Sequence, residues 1–192
     1  TMGYQLNQHL CTVPSPPIGL VSQWKAAYCG ELPLLDLCQA VPDYEPALAL
    51  RQHLRSVIHE PLTARYTPDE GLLEVREQVC LSYADKYGAA ITPEHICLTC
   101  GASAAFWLAI TTICQAGDEV ILQSPCYFDH PMALRALGIT PIFTPATRFD
   151  DITFVQQQIT SRTKAILLVT PSNPTGHVLD DALLQAYALL AR

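Results

Sequence analysis

The sequence predicts an α/β fold with a largely parallel sheet. The apolar run Ala165-Ile166-Leu167-Leu168-Val169-Thr170 is cut off by Pro171-Ser172-Asn173-Pro174-Thr175-Gly176. A buried strand that meets a sharp turn has this pattern. Two more strand-like runs, residues 119–123 and 140–143, are separated by helical patterns. Strands that alternate with helices argue for an α/β sheet, mostly parallel.

Composition sets the limits. The 192 residues are 49% hydrophobic and 15% charged, ample for one globular core. A formal net charge of -7 argues against a nucleic-acid partner, because nucleic-acid binders are usually basic. No apolar run is long enough to span a bilayer, so no membrane association is expected. Residues 1–20 lack the basic start of a signal peptide and hold three prolines. The eight cysteines (11, 29, 38, 80, 97, 100, 114 and 126) mostly fall in apolar, periodic segments. That usage fits reduced, buried thiols in a cytoplasmic protein better than a disulfide scaffold.

Taken in order, residues 1–17 read as an irregular arm and 18–28 as a short helix with Trp24 as its anchor. Residues 34–38 read as a short strand and 39–44 as a turn. Pro46 starts a helix to about Ile58, where a proline in the first turn loses no hydrogen bond. Leu48, Leu50, Leu54, Val57 and Ile58 give it helical apolar spacing. After the polar loop 65–71, a helix over 72–87 is stopped by Gly88. Thr92-Pro93-Glu94 turns the chain into a strand over 95–99, and Gly101-Ala102-Ser103 opens a helix to about Cys114. Strands at 119–123, 140–143 and 164–170 then alternate with helices at 129–137, 151–160 and 180 to the end. Asp150-Asp151 reads as a helix cap, and Glu119 as a solvated residue at a strand start.

Three loops therefore stand at strand ends, where open α/β sheets bind ligands. Residues 100–103 lead into a helix N-terminus, whose amides and dipole suit a phosphate; Ser103 adds a hydroxyl. Taken alone, this is also how a serine caps a core helix. Residues 124–130 present Tyr127, whose ring can lie against a flat ligand or pack in a core. His130 stands near it, to line a site or to serve the structure. Residues 170–176 present Asn173, an amide able to donate to a ligand oxygen or simply to shape a turn. Cys97 and Cys100 form a C-x-x-C without the second pair or nearby histidines that zinc requires. The six histidines (9, 53, 59, 95, 130 and 177) show no metal spacing, and no metal is expected.

From about Leu35 onward the chain resembles the first half of a class I/II aminotransferase of fold type I, dependent on pyridoxal 5'-phosphate (PLP). The resemblance rests on collinear motifs. These are Pro42-Asp43-Tyr44; Tyr66-Thr67-Pro68 with Gly71 and Arg76; Thr99-Cys100-Gly101-Ala102-Ser103-Ala104-Ala105; Gly117-Asp118-Glu119-Val120; Pro125-Cys126-Tyr127; and the loop from Pro171 to Gly176. Each is weak alone; their order and spacing are specific together.

The resemblance implies a three-layer αβα fold, the mostly parallel sheet of the PLP-transferase large domain, incomplete in this chain. Residues 1–45 would be the N-terminal arm and the start of the small domain, and 46–192 the first part of the PLP-binding large domain. It also implies roles. Ala102 and Ser103 match the residues that hold the cofactor phosphate. Tyr127 matches the aromatic that stacks on the pyridine ring, and Asn173 the asparagine bonded to its phenolic oxygen. Tyr66 matches a tyrosine that reaches the partner's phosphate across a homodimer. Ala40 stands in a loop that touches the substrate carboxylate, where the family usually has glycine, and a Cβ there limits close approach. Ile18 matches an N-terminal segment that covers the substrate.

The family also needs a Schiff-base lysine, an acid paired with the pyridine nitrogen, and an arginine for the substrate carboxylate. Lys25, Lys86 and Lys164 stand in the wrong contexts, so the catalytic lysine is expected beyond residue 192. The chain then reads as an inactive fragment of an enzyme that moves an amino group between an amino acid and a 2-oxo acid. A PLP-dependent C-S/β-lyase would have a similar first half. An aminotransferase-like ligand-sensing domain of a transcription regulator needs a basic DNA-binding region before it, for which residues 1–34 leave no room.

Overall fold

The computed structural model describes residues 3–39 and 41–192. Its helices are α1 (Pro17–Ala26), α2 (Leu48–Val57), α3 (Leu73–Tyr87), α4 (Ala102–Ile113), α5 (Asp129–Ala136), α6 (Ala146–Phe149), α7 (Ile152–Gln156) and α8 (Asp181–Leu190). Its strands are β1 (Glu119–Ser124), β2 (Thr140–Pro145) and β3 (Thr163–Leu167), with 3-10 turns at Leu10–Thr12, Pro61–Ala64 and Pro93–His95. The chain divides into two compact units, Thr1–Trp24 with Gly101–Arg192, and Lys25–Cys100.

The first unit is built on the sheet, in the order β2-β1-β3, parallel throughout. Central β1 is Glu-Val-Ile-Leu-Gln-Ser, and its first five residues are buried, as expected of a parallel strand covered on both faces. It pairs with β2 from Glu119 opposite Thr140 to Ser124 opposite Pro145. Against β3, Glu119 faces Thr163 and Val120 faces Ala165; Lys164 is the extra residue of a β-bulge.

Alternation along β1 divides the core in two. Val120 and Leu122 join Ile110 of α4, Leu134 of α5 and Ile139 on one face. Ile121 joins Phe149 of α6, Val155 of α7 and Tyr187 of α8 on the other. Each fully buried aliphatic chain contributes about 1.5–3 kcal/mol through area removed from water. The result is the expected three-layer α/β arrangement. Helix α6 was not expected. Phe149 is buried in it, and its carbonyl accepts a hydrogen bond from the Tyr187 hydroxyl. Burial pushes the Tyr187 phenol up from its ordinary pKa. As the sequence suggests, Asp151 caps a helix: its carboxylate accepts from the Phe154 amide at 3.0 Å. The helix it caps is shorter than expected, ending at Gln156.

Glu119 corrects the sequence reading, which placed it in solvent. It is 2% exposed, because the turn before β3 folds over the start of β1. There its carboxylate accepts from Thr160 Oγ1 at 2.6 Å and from Arg162 Nε at 2.9 Å and Nη2. A buried carboxylate is tolerated when its oxygens are bonded in this way.

The Lys25–Cys100 unit owes its shape to polar ties. Gly88 ends α3 at φ 62°, a left-handed position that suits glycine. Arg76 donates to the carbonyls of Gly71 (3.1 Å) and Pro93 (2.8 Å). The Leu98 amide donates to Glu70 O at 2.9 Å. The strands expected at 34–38 and 95–99 do not form. A strand needs a ladder partner, and the Leu98 amide is taken by the loop at Glu70. Asp36 is engaged by Lys25 and by the Cys38 amide at 2.9 Å. Pro46 precedes the N-cap Ala47 of α2 instead of standing in its first turn.

The Glu119 network makes a testable prediction. Hydrogen bonding from Thr160 and then Arg162 holds its carboxyl below the ordinary range. A depressed carboxyl contributes stability above its unfolded pKa of about 4.3 and loses it as pH falls through the folded value. Glu119→Gln should therefore lower the Tm of the whole protein at neutral pH, and the gap to wild type should close in acid. A gap constant from pH 7 to pH 3 would show that Glu119 acts through packing alone.

Candidate active site

Topology creates the site. From β1 the chain crosses to β2 on one side and returns to β3 on the other. This switch point opens a crevice at the carboxyl ends of β1 and β3. It is lined by Gln123, Pro125 and Cys126 at the end of β1, by Val169, Ser172 and Asn173 after β3, and by His130 of α5.

The loop after β3 is closed on itself. The Ser172 amide donates to His177 O at 2.8 Å, and the Gly176 amide to Ser172 O at 2.7 Å. Thr170 Oγ1 accepts from the Leu179 amide at 3.0 Å. Ser172 is buried, while Asn173 stays exposed at the crevice. The fold therefore fixes the backbone of Asn173 and leaves its amide available.

The loop after β1 supplies rings. Tyr127 meets His130 edge-on at 5.5 Å and 81°, and His130 packs 4.7 Å from Phe106 of α4. Among the described residues, His130 Nδ1 and Arg51 Nε are the buried side-chain atoms without a hydrogen-bond partner. Burial lowers the pKa of the His130 imidazole, opposed by the charge of Asp129. Burial also pushes the Cys126 thiol up, but the cysteines are not buried as the sequence suggested: Cys11, Cys29, Cys38, Cys97 and Cys100 are exposed and the other three are half-buried.

The third loop meets α4. Gly101 is its N-cap at φ 88°, again a glycine position. The Ala105 amide donates to Gly101 O at 3.2 Å, so the amides of Ala102, Ser103 and Ala104 have no acceptor within the helix. Ser103 Oγ donates to Asp129 Oδ2 at 2.5 Å, which ties this loop to α5. The fold thus puts Ala102, Ser103, Tyr127 and Asn173 in one unit; Asn173 lines the crevice, whereas Ala102, Ser103 and Tyr127 are not among its lining residues.

The remaining expected residues stand apart. Tyr66 belongs to the Lys25–Cys100 unit, with its side chain fully exposed. Ile18, in the first turn of α1, is 38% exposed and does not line the crevice. Ala40 lies outside the described residues. The contact of Asp129 with Ser103 was not legible: at a helix start, an acid reads as ordinary first-turn chemistry. Only the fold puts it beside Ser103. Among the described residues no helix is long and apolar enough to cross a membrane.

Known proteins share this fold. A model of the aminotransferase class I and II family matches residues 33–192. The chain belongs to the class I and II aminotransferases. It is 39% identical over 115 residues to (5-formylfuran-3-yl)methyl phosphate transaminase of Methanocaldococcus jannaschii, covering 60% of this chain and 30% of that protein. It is 31% identical over 162 residues to a probable aspartate/prephenate aminotransferase of Thermus aquaticus, covering 82% and 42%. A single mutant of Thermus thermophilus aspartate aminotransferase superposes with a TM-score of 0.87 at 27% identity, covering 98% of this chain and 50% of that one. The chain thus spans half or less of the length of these relatives.

Class I and II aminotransferases as a family imply PLP, a flat ring carrying a phosphate arm. The residues present fit such a group. The first amides of α4 suit an anion, Tyr127 offers a ring face, and Asn173 offers a donor. The orphaned His130 Nδ1 is a buried polar group that calls for a partner.

The enclosure of His130 is measurable. Its ring should titrate below the ordinary value of about 6.5, as followed by the NMR shift of its Cε1 proton. With the folded pKa depressed, its contribution to stability is present above the unfolded pKa and lost as pH falls through the folded one. A midpoint at or above the ordinary value would mean that the ring is solvated or paired with an acid.

Proposed function

We propose that the whole protein transfers an amino group between an amino acid and a 2-oxo acid, with pyridoxal 5'-phosphate as cofactor. The observation that carries this reading is that one unit of a chain of the aminotransferase family holds a helix start suited to an anion, an aromatic ring and an asparagine exposed at the crevice. When bound, the cofactor serves as an electron sink for the substrate's α-carbon.

On this reading residues 46–192 belong to the cofactor-holding large domain, and each residue has a defined task. The amides of Ala102 and Ser103 bind the phosphate and anchor the cofactor. Tyr127 lies against the pyridine ring and fixes its plane. Asn173 donates to the phenolic oxygen and sets the ring's rotation. Ile18 covers the substrate, and the loop at Ala40 touches the substrate carboxylate. Tyr66 donates to the phosphate held by the partner subunit of a homodimer, so that two composite sites form on a two-fold axis. The enzyme works in the cytoplasm. The chain by itself, without the lysine that moves the proton, is inactive.

The reaction is tested by supplying amino donors with and without a 2-oxo acid acceptor. Transamination requires the acceptor and yields a new amino acid. Release of ammonia or a thiol without an acceptor would identify a lyase instead.

The Asn173 role predicts a weaker hold on the cofactor. A hydrogen bond to a charged oxygen contributes about 1.5–3 kcal/mol, so Asn173→Ala should raise the Kd for PLP roughly ten- to a hundredfold. Equilibrium dialysis of the variant reads this directly, and an unchanged Kd would remove Asn173 from the site.

The Tyr66 role is tested by mixing Tyr66→Phe with a variant lacking the cofactor-anchoring lysine. If Tyr66 acts across the interface, one site of the mixed dimer carries both lesions and the other neither, and activity returns on mixing. No recovery, despite proven subunit exchange and a strong single-variant defect, would place Tyr66 within its own subunit or away from the cofactor.

A further inference from the structure

The Ser103 hydroxyl has a single proton, and the fold gives that proton to Asp129, with Oγ to Oδ2 at 2.5 Å. Bonds between a hydroxyl and a carboxylate are among the short, strong ones. The two residues are 26 positions apart and open two different helices, α4 and α5. An acidic residue in the first turn of α5 is also favourably placed for the helix dipole. With its proton committed, Ser103 Oγ can only accept. A phosphate monoester near neutral pH carries about -1.5 to -2 charge and offers acceptor oxygens. Phosphate and Asp129 would therefore compete for one proton.

We propose that Asp129 is a positioning residue that withholds the Ser103 hydroxyl from the cofactor phosphate, leaving the backbone amides at the start of α4 to hold it. This rests on the reading that those amides bind the PLP phosphate. It makes Ser103 a bracket between two loops and places a negative charge beside the anion, so Asp129 lowers cofactor affinity. The phosphate grip is weaker than the loop sequence Gly101-Ala102-Ser103 suggests, and the cofactor exchanges more readily.

The test measures the Kd of the whole protein for PLP and for pyridoxal, which lacks the phosphate. The ratio of the two isolates the phosphate grip without reference to activity. In wild type, Ser103→Ala should change that ratio by less than about threefold, the scale of a surface substitution. In an Asp129→Asn or Asp129→Ala background the freed hydroxyl can donate to the anion. Removing Ser103 there should then cost about tenfold or more, the scale of a hydrogen bond to a charged group. Asp129→Asn alone should tighten PLP and leave pyridoxal unchanged. A tenfold loss from Ser103→Ala in wild type would overturn the proposal, as would weaker PLP binding by Asp129→Asn. Should an Asp129 variant fail to fold by circular dichroism, Ser103→Ala in wild type still decides. Failure of the underlying reading looks different: wild type would bind neither compound, or both equally well.

Discussion

The arrangement depends on a single constraint, the burial of β1 on both faces between two parallel neighbours. A parallel strand cannot return by a hairpin, so each connection must cross the sheet through a helix. Because β2 and β3 flank β1 on opposite sides, the crossings leave a gap at the carboxyl ends of β1 and β3. The loops after these strands meet there. The residues that hold the strand down, Val120, Ile121 and Leu122, are thus the ones that place Tyr127 and Asn173. A change in the register of β1 would carry its loop away and swap the faces of its side chains.

The two units differ in how they are held. Around the sheet, the apolar side chains close into two clusters. In the Lys25–Cys100 unit, α2 and α3 contain no buried residue, and Leu48, Leu54, Leu81 and Tyr87 are among many exposed apolar side chains. A segment of that size without a core cannot offset its conformational entropy by local hydrogen bonds alone. In a chain that spans half or less of its relatives' length, apolar surface on this scale is surface left to be covered. Tyr66 lies in this unit, and an exposed phenol in a polar loop is intelligible if the proposed dimer covers it.

Local chemistry was legible in the sequence, and long-range pairing was not. The runs 119–123 and 140–143 and the glycine stop at Gly88 depend on near neighbours, so pattern was enough. Residues 95–99 have an equally apolar pattern, yet strand geometry comes from a ladder partner, and Leu98 is bonded to Glu70 instead. Glu119 looked like a solvated strand start because Thr160 and Arg162, which enclose it, lie over forty residues away. Two of the three expected strand-end loops, those after β1 and β3, were legible because turn residues announce them, and their convergence follows only from the strand order. The loop at 100–103 follows no strand.

The same limit explains the polar side of the site. Ser103 and Asp129 each have a sufficient local role, as first-turn residues of separate helices, so neither signals the other. In space they form one charge-assisted pair, with His130 next along α5. That histidine has its ring between Phe106 and Tyr127 and a buried nitrogen without a partner. One residue of α5 therefore presents a committed carboxylate toward the start of α4. The next presents an uncommitted nitrogen in the crevice. A helix separates neighbouring side chains by about 100°, so two adjacent residues can serve opposite ends of a ligand without competing. The first turn of α5 thus ties the start of α4 to the crevice at the ends of β1 and β3, although the sequence there reads only as the start of a helix.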